Sequence, residues 1–137
     1  MRIFKEVVEW FDLPNDPDKA RIKIKYLNAG EAQEIIAKSR KLQFDISADE
    51  AQSAHMVPDE ILLRNKTACA RIVDWENFYD DKGNKLECND RNKVWFSQQD
   101  GFMEILKDLT EKIDKVVEKE KEKEEKNLPS SQDGSAA

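Results

Sequence analysis

The stretch Arg21-Ile22-Lys23-Ile24-Lys25-Tyr26-Leu27 alternates apolar and basic side chains with a period of two. That period puts Ile22, Ile24 and Tyr26 on one face and three cations on the other, the pattern of a strand with one dry side. Just ahead of it, Leu13-Pro14-Asn15-Asp16-Pro17-Asp18 concentrates turn formers, and its two prolines bar a continuous helix. The residues before the turn, Val7-Val8-Glu9-Trp10-Phe11, also fit a helix face together with Ile3 and Phe4. Their β-branched and aromatic content beside a turn favours a strand. An N-terminal β-hairpin is predicted.

Beyond Leu27 the period changes. Gly30 opens a helical stretch through about Lys41, with Ala32, Ile35, Ile36, Ser39 and Leu42 near one face and a charge order that suits the helix dipole. Residues 45–57 carry little apolar content and no clear period, and read as a long, mobile connection and a candidate functional segment. Pro58-Asp59-Glu60 opens the next helix, whose apolar positions are Ile61, Leu62, Ala68, Cys69 and Ile72. Asp74-Trp75-Glu76-Asn77-Phe78-Tyr79 and Lys85-Leu86-Glu87-Cys88 flank the turn Asp80-Asp81-Lys82-Gly83-Asn84 and read as a second small β-hairpin. Asn89 and Asp90 cap a short helix through Val94-Trp95-Phe96, and Asp100 can cap the last one. There Phe102, Ile105, Leu106, Leu109, Ile113, Val116 and Val117 make one continuous stripe. The stripe stops at Lys119, where KEKEKEEK brings four lysines and four glutamates that pair at i,i+4 along a solvated helix. The fold class expected is α+β: an N-terminal β-hairpin, central helices, a second small β-hairpin and a long C-terminal amphipathic helix. Residues 1–118 read as one domain, 119–128 as a charged helical extension and 129–137 as a disordered tail.

The chain has 137 residues, enough for one domain of ordinary size. It is 38% charged with a net charge of −6, which argues against general nucleic-acid binding because counterion release needs a concentrated positive face. No apolar run approaches the roughly eighteen residues needed to cross a bilayer, and Met1-Arg2-Ile3-Phe4-Lys5-Glu6 does not read as a secretory signal. A soluble intracellular chain is expected. Cys69 and Cys88 lack C-x-x-C spacing and read as two reduced thiols; with His55, the single histidine, and a carboxylate they follow no known zinc spacing. Asn65-Lys66-Thr67 matches a glycosylation acceptor by chance, inside a helical pattern. The Asp80–Asn84 turn lacks calcium-loop spacing, and phosphate loops, nucleophile elbows and H-E-x-x-H are all missing. The acid pairs Asp16/Asp18, Asp59/Glu60 and Asp80/Asp81 sit at turns and helix starts, where capping and solubility account for them. No catalytic, cofactor-binding or metal-ligating residue is predicted.

Two groups are candidate binding surfaces. Trp75, Phe78, Trp95, Phe96 and Phe102 either form one core cluster or leave some members exposed as anchors for a partner. The stripe residues Ile105, Leu109, Ile113 and Val116 either pack on the domain or are offered to another helix. Arg21, Lys23 and Lys25 give an alternative: a small regulatory protein that binds a host protein or nucleic acid through this basic strand, beside the default of a solvated strand face.

Ile72-Val73-Asp74-Trp75-Glu76-Asn77, then Asp81-Lys82-Gly83-Asn84-Lys85-Leu86-Glu87-Cys88, then the cap Asn89-Asp90-Arg91-Asn92 before a helix, resemble small tail-assembly chaperones of tailed phages and prophages. The ending Glu124-Glu125-Lys126-Asn127-Leu128 is similar to the E-x-K-N close of that group. The resemblance spans 58–128 and, more loosely, the strand at 21–27; the 45–57 connection is not matched. It implies a non-enzymatic protein without cofactor, working in the cytoplasm of a bacterial or phage-infected cell. Its client would be a helical, aggregation-prone tape-measure protein or the tail tube protein, with no membrane partner. Trp75, Phe78, Trp95 and Phe102 would then support the fold, and Ile105, Leu109, Ile113 and Val116 would form the candidate partner face.

Overall fold

The alternation at 21–27 becomes the centre of a three-stranded antiparallel sheet in the computed structural model, which describes residues 6–46 and 52–127. Strand β1 (Val8–Asp12) pairs with β2 (Arg21–Lys25), with Trp10 opposite Lys23 and Phe11 opposite Ile22. The turn between them is closed by the Leu13 N–H donating to the Ala20 carbonyl at 2.9 Å and the Ala20 N–H donating to the Asp16 carboxylate at 2.8 Å. On its other side β2 pairs with β5 (Ile72–Glu76), with Ile22 opposite Trp75 and Ile24 opposite Ile72. The register shifts between Lys23 and Ile24.

The elements between and after these strands are α1 (Ala29–Lys38), β3 (Arg40–Ile46), β4 (Gln52–Pro58), α2 (Glu60–Arg71), α3 (Asp90–Ser97) and α4 (Phe102–Asn127). Four helices and two small antiparallel sheets make this an α+β fold, with the N-terminal hairpin and the long C-terminal helix in place. Helix starts follow from their caps. Asn28 and Glu31 form a reciprocal capping box on α1, Asp59 accepts from the Leu62 N–H at 3.1 Å, and Asn89 accepts from the Asn92 N–H at 2.9 Å.

Two stretches differ from the sequence reading. The 74–88 hairpin shrinks to 78–86, where the Asp80 N–H donates to the Asn84 carbonyl and the Leu86 N–H to the Phe78 carbonyl, both at 2.8 Å, while the residues before it belong to the main sheet as β5. Asn77, at φ 62, turns the chain out of the strand, and a single bridge between Tyr79 and Lys85 is what pairs across the turn. A further hairpin lies at β3 and β4, where a helix tail and a connection were expected. Helix α1 ends at Lys38 because the Ser39 hydroxyl donates to the Ile35 carbonyl and the Ser39 carbonyl accepts from the Asp59 N–H at 2.8 Å. Arg40 onward is then free to extend. Residues 47–51 of the expected connection, Ile3 and Phe4, and the expected tail at 129–137 lie outside the described residues. The charged run continues α4 as helix through Asn127.

The core lies between the sheet and α4. Ile22 and Ile24 have no exposed surface, and they pack with Ile72, Trp75, Phe102, Leu106, Leu109 and Ile113. Tyr26 lies against the same cluster, as its alternation with Ile22 and Ile24 requires. Truncating Ile113, fully buried at the centre of the α4 contact, is expected to destabilise the protein by about 2–5 kcal/mol in chemical denaturation. Val116→Ala, at a half-buried position at the edge of the same stripe, should cost markedly less; equal losses would mean that α4 does not pack with Ile113 inward.

Candidate interaction surface

The aromatic group converges on one point. Trp75 and Phe78 stack at 4.6 Å with their planes 1° apart. Phe96 stands edge-on to both, at 5.2 and 5.0 Å, and Phe102 lies 5.5 Å from Phe96. Such offset and T-shaped pairs add to the stabilisation from burial alone. The Trp75 indole N–H donates to the Leu86 carbonyl at 2.9 Å, which ties the turn segment to the sheet. Trp75, Phe78 and Phe102 are buried, as are Leu109 and Ile113 of the α4 stripe. Ile105 and Val116 are half-buried. Of the eight residues proposed from sequence as a partner face, only Trp95 is substantially exposed, at 45%. The stripe is the inner face of α4, because the dry face of the sheet needs a cover and α4 supplies it.

The basic strand is electrostatically matched. Arg21 pairs with Asp12 at 3.0 Å and Glu76 at 3.7 Å, with its guanidinium 5.1 Å from the centre of the Trp10 ring. Lys23 reaches the same ring at 6.0 Å. Lys25 pairs with Glu31 at 3.0 Å and Glu6 at 3.4 Å. The Lys25 hydrogen bond, followed by the Asn28 N–H, holds the Glu31 carboxyl below the ordinary carboxylate range. A phosphate backbone would have to displace these acids to reach Arg21 or Lys25.

The other sequence candidates have structural employment. Asn65 accepts from the Ser97 hydroxyl at 3.2 Å, joining α2 to α3. Asp80 accepts from the N–H groups of Asn84 and Lys82 at 2.8 and 2.9 Å, and these bonds lower its pKa and hold the turn. Cys69 and Cys88 are free, half-buried thiols. Burial pushes both up, Cys88 to about 11, so neither is a nucleophile near neutral pH. Among the described residues no cluster of His, Cys, Asp or Glu is arranged to hold a metal, and no helix is long and apolar enough to cross a membrane.

What remains is the β3–β4 ribbon. Leu42 sits opposite Met56 and Phe44 opposite Ala54. The pleat places these four on one face. Leu42, Phe44 and Met56 are 53%, 61% and 48% exposed. Ile36 near the end of α1 and Ile61 in the first turn of α2 are exposed too, close in sequence to the root where Ser39 meets Asp59. Among the described residues, five of the eight exposed large hydrophobics thus come from the ribbon and the helix ends that flank it. Sequence reasoning marked 45–57, which holds Ala54 and Met56, as a candidate functional segment, but missed its strand and the apolar face it shares with Leu42 and Phe44. The signal was the period-two run Leu42, Phe44, Ile46 in β3 and the shorter alternation of Ala54 with Met56 in β4. No protein-family model matches the chain, and neither does any curated protein or solved structure.

Two chemical consequences are measurable. The contribution of Glu31 is complete above its unfolded value near 4.5 and is lost as pH falls through the lower folded value. The unfolding midpoint should therefore drop on acidification below that point, and less steeply in Glu31→Gln; parallel acid limbs would show that the Lys25 pair contributes nothing. Alkylation of Cys88 by iodoacetamide at pH 8 should be slower by roughly a hundredfold in the folded protein than in denaturant, following the thiolate fraction. Equal rates would mean an accessible, unshifted thiol.

Proposed function

We propose that this protein is a non-enzymatic tail-assembly chaperone of a phage or prophage, which holds a helical tape-measure protein soluble in the bacterial cytoplasm while the tail tube forms. The resemblance at 72–92 suggests the role, and one observation carries the mechanism. A strongly charged chain with net charge −6 concentrates its exposed apolar side chains on and beside one ribbon. Monomeric proteins keep such patches small unless they bind something. Seven residues of strand span about 23 Å, which matches roughly four turns of an apposed helix. The client would lay its apolar face on Leu42, Phe44, Ala54 and Met56, and the charged body would keep the complex in solution. The candidate partner face thereby moves from the α4 stripe to the ribbon, since Leu109 and Ile113 are committed to the core.

The test is co-expression with the tape-measure protein encoded by the same phage or prophage. The wild-type chain should carry that protein into the soluble fraction and co-purify with it. A Leu42→Ser, Phe44→Ser double variant should lose most of this effect and keep its melting temperature, because both side chains are exposed. A tape-measure protein that stays insoluble beside the wild type would overturn the reading, as would full solubilisation by the double variant.

A further inference from the structure

Among the described residues the β3–β4 ribbon is a two-stranded sheet by itself, and each strand has one edge without a ladder partner there. An isolated two-stranded ribbon is marginal in water, and an open edge is a template for another strand. We infer that β3 is a self-pairing edge, through which two copies of this chain join antiparallel about a two-fold axis at Gln43.

The order of residue types along β3 carries this assignment. Antiparallel pairing centred on Gln43 sets Leu42 opposite Phe44 of the second copy, and Phe44 opposite its Leu42. One step further out it sets Lys41 opposite position 45, an aspartate, and the symmetry repeats that match on the other side. The two pairs that flank the Gln43–Gln43 centre on each side are then apolar with aromatic and cation with anion, the two kinds that favour pairing, and only the outermost pair, Arg40 with position 46, is unmatched. The edge is reachable: Arg40, Lys41, Leu42, Gln43 and Phe44 are all exposed. Strand β4 lacks the same property. Centred on His55, it would set Ala54 opposite Met56 and Ser53 opposite Val57 with no charge match, and Pro58 has no N–H to donate.

The product is a four-stranded sheet in the order β4-β3-β3-β4. Because antiparallel neighbours keep the pleat in phase, Leu42, Phe44, Ala54 and Met56 of both copies fall on one face. The apolar strip doubles in width and stays open. This inference does not rest on the chaperone role.

Sedimentation velocity on the full chain, across a concentration series into the hundreds of micromolar, tests it through charge exchange. The wild type should dimerise. K41E sets an acid against the aspartate at 45, and D45K sets a lysine against Lys41, so each variant alone should weaken dimerisation by about tenfold or more. Mixed in equal amounts, the two variants match at every charged position and should recover the wild-type dimer. A wild type that remains monomeric overturns the inference, and so does a dimer that neither substitution weakens or that mixing does not restore. Circular dichroism of each variant checks that the fold is intact. The two monomeric variants also separate this inference from the proposed function: tape-measure solubilisation that survives in them leaves the chaperone reading standing.

Discussion

Two isoleucines on the central strand, Ile22 and Ile24, have no exposed surface, and covering them organises the molecule. A strand that is wet on one face needs a partner on each edge and a layer on its dry side. β1 supplies one edge through a local turn, β5 supplies the other from far along the chain, and α4 supplies the layer. The segments between β2 and β5 are therefore carried as an excursion, and their only obligation to the core is to return the chain at Ile72. Helix α2 meets that obligation by burying Ala68. The β3–β4 ribbon, within the same excursion, exposes Leu42, Phe44 and Met56.

That division decides which apolar surface is free. The α4 stripe and the stacked Trp75 and Phe78 are the most conspicuous apolar groups in the chain, and the two isoleucines consume them. The basic face of β2 is consumed in turn by Asp12, Glu76, Glu31 and Glu6. A binding role consequently falls to less conspicuous residues. Leu42, Phe44 and Met56 are few and scattered in sequence, and only the register of the ribbon places them on one face.

Where the sequence was readable, a period repeated often enough to outweigh chance. The strand at 21–25 and the stripe of α4 are of that kind, and the helix openings at Asp59 and Asn89 were legible from their residue types. β5 was half legible: Asp74-Trp75-Glu76 reads as strand, but its partner β2 is remote, and Ile72 reads as the end of the helix before it because the register shift beside Ile24 puts the buried Ile72 and Trp75 three apart. That spacing mimics a helix. β3 and β4 were missed because Leu42 also fits the face of the helix before it, which cuts the alternation of Leu42, Phe44 and Ile46 short, and because Ala54 and Met56 alternate only once. Of the candidate site only the segment 45–57 was marked in the sequence, and of the aromatics named there as partner anchors Trp95 alone is exposed. Burial of the other aromatics is a property of the assembled core, which no local window contains.

A ribbon of this kind also couples the two proposed roles. Its own hydrogen bonds hold it only marginally, so any contact that requires its ordered form adds to its stability. Edge pairing between two copies orders the ribbon and at the same time fixes the apolar face that a helix would occupy. A helix on that face, reciprocally, orders the strand whose edge pairs. On the two proposals, self-association and client binding therefore reinforce one another through the ordering of a single element, with no need for contact between the two partners. The core built on Ile22 and Ile24 stays outside this exchange, which lets the ribbon vary in order without endangering the fold.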